Sequence, residues 1–157
     1  MMDAIIRIGE KRDVPDMLAL IQELADYEKA PQEVHNTVAR MEKDGFGEQP
    51  IFYSHVAEVE GKVVGVAIYY QAYSTWKGSY IYLDDIVITE QFRGKGIGKK
   101  LFDAVGAFAK NAGANLLRWH VLEWNEPAIN FYKKYNAVLD PEWITCKLTR
   151  QQLEDLF

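Results

Sequence analysis

The sequence predicts a single α/β domain in which a mixed sheet lies between helices on both faces, giving three layers. Three observations lead to this prediction. β-branched and aromatic runs recur at strand length, amphipathic helices separate the later strands, and 157 residues are enough for one sizeable core. The composition of 48% hydrophobic and 26% charged residues is ordinary for a globular domain of this kind.

The first half predicts one strand, two helices and a hairpin. Ile5, Ile6 and Ile8 form a short strand, and Asp13 is expected to cap a helix that reaches about Glu28. A weaker helix is predicted over residues 34–44. Residues 52–58 and 63–70 then read as strands joined by a glycine turn, so this half supplies the antiparallel part of the sheet.

The second half predicts strands that alternate with helices. A central strand over residues 80–89 leads through a glycine loop into an amphipathic helix that ends near residue 110. Further elements are a strand over 116–122, a helix from Asn125 to about 136, a strand over 143–148 and a terminal helix opened by a capping box at 149–152. Cys146 is expected to be buried in the last strand.

Composition excludes several functional classes. No apolar run approaches the roughly 18 residues of a membrane span, and residues 1–9 lack the apolar core of a signal peptide, so a cytoplasmic location is the default expectation. A single cysteine and three histidines without paired spacing predict no disulfide and no metal site. The net charge of -5 argues against nucleic acid as a partner.

The glycine loop is the strongest chemical signal. Three glycines alternate in Arg93-Gly94-Lys95-Gly96-Ile97-Gly98-Lys99 at the start of a helix, where unpaired N-H groups and a positive dipole bind phosphate. A P-loop is excluded because Lys99 is followed by Lys100 and not by a hydroxyl residue. The position of Gly98 argues against a dinucleotide-binding loop, because the third glycine of that motif stands one residue later. Glu123 does lie at the spacing of a ribose-binding acid, so this alternative stays open.

Together with other segments, this loop resembles the GNAT superfamily of acetyl-CoA-dependent N-acetyltransferases. The narrower likeness is to the diamine (spermidine/spermine) and thialysine acetyltransferase branch. It is carried by five segments: residues 23–28, 44–48, 82–85, 93–98 and 123–133. The resemblance covers nearly the whole chain and implies a GNAT-like fold with splayed central strands, a homodimer, and acetyl-CoA as the cofactor.

The resemblance also implies where the cofactor lies. The pyrophosphate would rest on the glycine loop, the pantetheine arm would pair with the central strand, and Asn125 and Tyr132 would lie beside the cofactor. The expected cofactor-binding residues are Ile86, Val87, Ile88, Arg93, Gly94, Lys95, Gly96, Ile97, Gly98, Lys99, Asn125, Pro127, Ala128 and Tyr132.

Acetyl transfer requires a neutral amine, yet an alkylammonium resembles lysine, whose pKa is about 10.4. Asp84 is the candidate base, and Tyr132 is the candidate acid for the leaving thiolate. An N-H group of Ile86 or Val87 is expected to stabilise the oxyanion. The branch has glutamate at the position of Asp84, so the shorter aspartate favours proton removal through a water. Asp84 and Asp85 should face opposite ways unless a bulge re-aims one.

Acidic and aromatic residues near these groups predict a small cationic amine as substrate, a polyamine, thialysine or a lysine-like amine. The candidate substrate-binding residues are Tyr27, Glu28, Asp84, Asp85, Trp76, Trp119 and His120. Three alternatives stay open: a non-catalytic acyl-CoA-binding or sensing domain, an acetyltransferase for protein N-termini or lysines, and a dinucleotide binder.

Overall fold

A computed structural model describes residues 3–157 of the chain. The chain divides into two compact units, one that ends at His120 and one that comprises Val121–Phe157. The first unit contains the whole sheet and three of the helices; the second contains two short helices. The expectation of a single domain stays a prediction.

The sheet of the first unit has five strands in the order of the sequence. They are β1 (Ile5–Ile8), β2 (Tyr53–Val59), β3 (Lys62–Ser74), β4 (Gly78–Ile88) and β5 (Leu117–Arg118). The first four strands pair antiparallel, and β5 pairs parallel to β4. The sheet is therefore mixed, which confirms the predicted fold class.

Helices cover both faces of this sheet. On one face, α1 (Val14–Tyr27) and α2 (Val38–Phe46) bury Val14, Met17, Leu20 and Met41 against Val56, Val66, Ile68 and Val87. On the other face, α3 (Ile97–Asn111) packs Ile97 with Ala57, Val59 and Val64. The side chains of the consecutive residues Val56 and Ala57 thus pack in different cores, as the alternation of side chains in a strand requires.

Several predicted elements of the first unit need correction. α2 begins at Val38 and not at residue 34, because the Thr37 side chain caps it by accepting a hydrogen bond from Arg40 N at 3.2 Å. β5 has only two residues and not the seven of 116–122. β3 extends four residues beyond its predicted end and β4 begins two residues before its predicted start, so the polar loop over 73–78 is reduced to a tight turn.

The second unit contains α4 (Glu126–Lys133) and α5 (Arg150–Leu156). Asn125 caps α4 by accepting from Ala128 N at 3.4 Å, and Thr149 and Gln152 form the predicted capping box of α5. The predicted strand over 143–148 is wrong, because these residues have no regular structure. Cys146 is accordingly exposed and not buried. No helix among residues 3–157 has the length and apolar character needed to cross a bilayer.

A buried ion cluster joins β1 to the start of α1. Asp13 is only 4% exposed and accepts hydrogen bonds from Arg7 Nη1 at 2.7 Å and Arg7 Nη2 at 2.9 Å. Arg7 also donates to Glu58 on β2 at 2.9 Å. Asp13 occupies the N-cap position of α1 as expected, but its carboxylate makes no cap bond to the helix and instead accepts from Glu10 N at 2.8 Å.

We predict that Asp13→Asn lowers the free energy of unfolding by about 2 to 4 kcal/mol at neutral pH, because Arg7 would lose its buried partner. The exposed pair of Lys11 and Glu42 supplies a control: Lys11→Gln should cost less than about 1 kcal/mol. Denaturant unfolding monitored by circular dichroism measures both variants. Equal effects would contradict the assigned role of Asp13.

The same cluster sets a pH dependence. Hydrogen bonds from Arg7 are the main cause that holds the pKa of Asp13 below its ordinary value of 3.8. A carboxyl group with a depressed folded-state pKa stabilises the fold above its unfolded pKa and loses that contribution as the pH falls through the folded value. The difference between the wild type and Asp13→Asn should therefore shrink only below about pH 4.

Candidate active site

A β-bulge in β4 places both acidic residues of the central strand on one face of the sheet. Ile68 lies opposite Asp85 and Tyr69 lies opposite Leu83, so Asp84 is an extra residue in β4. Because a bulge interrupts the alternation of side chains, Asp84 and Asp85 both line a cavity of about 520 Å³ on the α1 and α2 face. The sequence analysis expects Asp84 and Asp85 to face opposite ways unless a bulge re-aims one of them. The structure contains that bulge.

The cavity wall perturbs the titration of these acids. Burial, then the charges of Asp84 and Glu28, raise the pKa of Asp85 to about 7. Partial desolvation also raises the pKa of Asp84, although its side chain is exposed, and burial raises the pKa of Glu28. Glu28 lies at the end of α1, so the helix and the bulged strand bring three carboxyl groups into one field. Such a group of acids attracts a cation and can accept a proton near neutral pH.

A row of aromatic side chains continues this wall. Tyr70 of β3 lines the cavity, and its ring centroid lies 5.3 Å from that of Tyr82 on β4. Tyr82 Oη in turn shares a hydrogen bond with His120 Nδ1. Burial, followed by the charge of Asp84, raises the pKa of Tyr82 to about 12. The phenol therefore stays neutral, and its hydrogen bond places His120 next to Tyr82; the substrate role of His120 stays a prediction.

The outer edge of β4 is open beyond its contact with β5. β5 pairs only with Ile81 and Tyr82. Thr89 N donates to Val64 O of β3, and backbone groups of alternate residues face the same neighbour, so Val87 also faces β3. Ile86 and Ile88 then direct their backbone groups to this edge, where Ile88 O accepts a hydrogen bond from Arg93 Nε. Of the two predicted oxyanion donors, this geometry favours Ile86 over Val87.

The glycine loop has the conformation of an anion cradle. Gly94 and Gly96 have φ values of 72° and 78°, which side chains disfavour. A Cβ atom added at either position would meet nothing within 4 Å, so the backbone faces open space. The first backbone bond of α3 runs from Lys100 N to Gly96 O, which leaves the N-H groups of Ile97 and Gly98 outside the helix ladder.

Glu23 of α1 holds this loop in place. Its carboxylate accepts from Thr89 Oγ1 and Glu90 N, both at 2.8 Å, and from Arg93 Nη2 at 3.3 Å. Arg93 Nε also donates to Ile88 O at 2.8 Å, and its guanidinium lies 5.2 Å from the Tyr27 ring centroid. Arg93 and Tyr27, predicted as ligand-binding residues, therefore make contacts within the protein that connect α1, β4 and the loop.

Two predicted substrate residues do not join the acidic wall. Trp76 lies at the tip of the β3–β4 hairpin and is 82% exposed. The strand from Gly78 to Asp84 alone spans about 20 Å at 3.3 Å per residue, so Trp76 is remote from the acids. Trp119 contacts Phe102 of α3 at a centroid distance of 5.3 Å, which directs it to the opposite face of the sheet from Tyr82.

Four candidate residues lie together in the second unit. Asn125, Pro127, Ala128 and Tyr132 belong to α4 and its cap. Tyr132 is 8% exposed and its ring centroid lies 5.4 Å from that of Phe131. Pro127 stands in the first turn, where its missing N-H costs no helix bond.

Sequence reasoning missed several residues of this site. The sequence analysis does not propose four residues: Tyr70 and Arg40, which line the cavity, Tyr82, whose ring contacts that of Tyr70, and Glu23, which binds the loop segment. The alternation of aromatic residues in β3 and β4 is the signal that could have found the two tyrosines. Glu23 and Arg40 give no such signal, because long charged side chains on helices most often lie in solvent.

Comparisons with known proteins agree with this geometry. Residues 17–137 match the family described as Acetyltransferase (GNAT) family. A thialysine N-epsilon-acetyltransferase of Mus musculus is 37% identical over 162 residues, which cover 96% of this chain and 95% of that protein. The spermidine/spermine N(1)-acetyltransferase-like protein 1 of Homo sapiens is 35% identical over 96% of this chain, but the match spans only 23% of that longer protein.

The fold also has solved neighbours. An integron cassette protein from the mobile metagenome of V. cholerae superposes with a TM-score of 0.79 and 24% identity, over 99% of this chain and 98% of its own. At this identity the likeness concerns the fold alone. It confirms an open mixed sheet with flanking helices.

The raised pKa of Asp85 gives a prediction that needs no substrate. Asp84→Asn removes a neighbouring negative charge and should lower the pKa of Asp85 from about 7, while burial keeps it above the ordinary 3.8. Glu28→Gln should lower it less. Carboxyl ¹³C chemical shifts followed through a pH titration measure the change, with the exposed Asp16→Asn as the control that leaves Asp85 unaltered.

The raised pKa of Asp85 also determines how the stability of the fold changes with pH. A carboxyl group whose folded-state pKa is raised favours folding when protonated, so the stability falls as the pH rises from about 4 through 7. Relative to the wild type, the Asp85→Asn variant should be more stable at pH 8 than at pH 4. An Asp85 that titrates near 4 in the wild type would contradict the assigned environment.

Proposed function

Because the chain belongs to the Acetyltransferase (GNAT) family, we propose that it moves the acetyl group of acetyl-CoA to the primary amine of a small cationic substrate. The family is one of acyltransferase enzymes, and membership excludes the dinucleotide-binding alternative. The observation that carries the finer proposal is the bulge at Asp84, which turns two adjacent carboxyl groups into one cavity. Polyamines, thialysine and lysine-like amines all carry the ammonium group that such a wall attracts.

The glycine loop fits the pyrophosphate of coenzyme A. Gly94 and Gly96 leave room above the backbone, and the N terminus of α3 offers N-H groups and a positive dipole end. We propose that the loop from Arg93 to Lys99 holds the phosphates and that the open edge at Ile86 and Ile88 holds the pantetheine arm. When bound, acetyl-CoA would supply the acetyl group as an activated thioester.

The aspartate pair would prepare the nucleophile. An alkylammonium has a pKa of about 10.4, so a base must take its proton before nitrogen can attack a carbonyl. Asp84 is the more exposed member and meets the incoming ammonium, directly or through a water. Asp85, whose pKa is about 7, lies deeper and can share the proton with it.

Two further groups complete the proposed chemistry. The Ile86 N-H group at the open edge of β4 would donate a hydrogen bond to the oxygen on which negative charge develops. The Tyr132 phenol would donate its proton to the departing thiolate sulfur and regain one from solvent, and the second proton of the attacking nitrogen would pass to solvent as the amide forms. Asn125, Pro127 and Ala128 would form the cofactor wall beside it. These roles rest on the family resemblance together with the position of the residues on α4.

Two expectations from the sequence stay predictions. Cytoplasmic location is one. The homodimer is the other, and it is supported by apolar side chains of the second unit that lie in solvent, with Val138 at 93%, Trp143 at 73% and Ile144 at 87% exposure.

The proposed activity is tested by thiol release from acetyl-CoA with a panel of acceptors: spermidine, thialysine, lysine, an arylamine and an N-terminal peptide. The cationic small amines should have the highest kcat/KM, because the acidic wall binds ammonium groups. Acetyl-CoA binding without turnover of any acceptor would favour the non-catalytic alternative, and preference for the peptide would favour the protein acetyltransferase.

We predict that Tyr132→Phe lowers kcat about 100-fold and leaves the affinity for coenzyme A nearly unchanged, as expected for loss of a positioned acid. Tyr135→Phe, three residues later on the same segment, is the matched control and should keep wild-type turnover. Steady-state kinetics with the best acceptor of the panel measures both. Wild-type kcat in Tyr132→Phe would assign the phenol to packing alone.

We predict that Gly96→Asp abolishes coenzyme A binding, because a side chain and a negative charge would both enter the phosphate cradle. Gly113→Asp is the matched control, since Gly113 has a φ of 71° and also faces open space, yet lies after α3. Both variants should cost about 1 kcal/mol of stability through the positive φ. Calorimetric titration with coenzyme A should separate them; equal affinities would remove the loop from the site.

A further inference from the structure

The cavity beside the aspartate pair has an arginine at its wall as well as acids. Its lining residues include the acids Glu33, Asp44, Asp84 and Asp85 and the basic residue Arg40. His35 and Tyr70 are the remaining titratable residues of the lining. A ligand that matches this pattern needs ammonium groups and one anionic group, so the pattern is more specific than a general attraction for cations.

Arg40 differs from the other arginines of the chain in its contacts. Four arginines pair with a carboxylate, namely Arg7, Arg12, Arg93 and Arg150, and Arg118 lies 4.9 Å from the ring centroid of Tyr80. The Arg40 guanidinium donates to the His35 carbonyl oxygen at 3.4 Å, and across residues 3–157 it forms no ion pair. Its charge is therefore available to a ligand in the cavity.

The positive charge of Arg40 does not stabilise α2. Arg40 lies in the first turn, where Thr37 caps the helix, and a cation at a helix N terminus opposes the macrodipole. Asp44 follows at the spacing of an ion pair in a helix, but no such pair forms. Met41 anchors this turn in the core at 2% exposure, which fixes the neighbouring Arg40 on the cavity wall.

We infer that Arg40 forms a carboxylate subsite, so that the acceptor is an amino acid with a second, side-chain amine and not a polyamine. This inference rests on the proposed acetyltransferase function of the same cavity. The substrate carboxylate would pair with the Arg40 guanidinium, the α-ammonium would face Glu33 and Asp44, and the side-chain amine would reach Asp84 and Asp85. A polyamine in the same cavity would place an ammonium group beside the arginine, which like-charge repulsion opposes.

The dimensions of the cavity suit this class of ligand. A sphere with the volume of about 520 Å³ is about 10 Å across. The carboxylate and the terminal amine of an extended lysine-sized chain are about 7 to 8 Å apart, at the reach of about 3.5 Å per three bonds. Both ends of such a molecule can therefore contact the wall at once. An arginine presents a planar pair of donors that matches a carboxylate, which a lysine at this position could not do.

The test compares ligands that differ only by a carboxylate. L-lysine and cadaverine have the same chain and the same two amines, and L-ornithine and putrescine form a second such pair. Their binding to the full chain, in the presence of coenzyme A, is measured by calorimetry for the wild type, Arg40→Gln and Lys43→Gln. Lys43→Gln is the matched control, because Lys43 is an exposed cation of α2 outside the cavity lining.

The wild type should bind each amino acid more tightly than the corresponding diamine. Arg40→Gln should weaken amino acid binding about 10- to 100-fold, the scale of a charged hydrogen-bonded contact, and should leave diamine binding unchanged or stronger. Lys43→Gln should change neither. Circular dichroism melting confirms that the variants remain folded, since both side chains are exposed.

Two results would overturn the carboxylate subsite. One is a wild type that binds the diamines at least as tightly as the amino acids; the other is an Arg40→Gln variant that loses both ligand classes equally or neither. Binding tests the subsite without turnover, so it is separate from the proposed function, which fails if no amine releases thiol from acetyl-CoA. Preference for lysine in binding and in kcat/KM would support both.

Discussion

One extra residue in β4 places both acidic side chains of the central strand at the same cavity. Without the bulge at Asp84, strand alternation would send one of the two carboxylates to the α3 face, where the buried side chains are apolar. With it, Asp84 and Asp85 share the α1 and α2 face with Tyr70 and Tyr82. Two unpaired acids in an apolar sheet would be costly; beside an open cavity, solvent and a raised pKa relieve that cost.

Glu23 connects α1, which ends beside Glu28 of the acidic wall, to the segment that carries the glycine loop. It lies on α1, five residues before Glu28, and it accepts three hydrogen bonds from the segment between the end of β4 and the loop. Arg93 closes this contact by also bonding Ile88 O. A shift of α1 would therefore move Glu28 and the glycine loop together. We regard Glu23 and Arg93 as residues that position the loop, because their side-chain contacts are within the protein.

Local signals in the sequence located most of the fold and the glycine loop. The glycine loop, the Asn125 cap and the Thr149 capping box act over a few residues, so short patterns suffice to find them. The bulge depends on the register between β3 and β4, which no local pattern of β4 specifies. The strand predicted around Cys146 failed for a related reason: β-branched composition shows what a segment can form, and pairing requires a neighbouring strand.

The raised pKa of Asp85 links proton release to the binding of a cation. Near neutral pH this carboxyl group is partly protonated, because its pKa is about 7. An ammonium group at the wall favours the charged form of both aspartates, so its arrival lowers the pKa and expels a proton to solvent. The carboxylate that results is the species able to accept a proton from the amine. In the proposed reaction the acid pair would thus be charged once the cavity is occupied, and an empty cavity avoids the cost of two full charges.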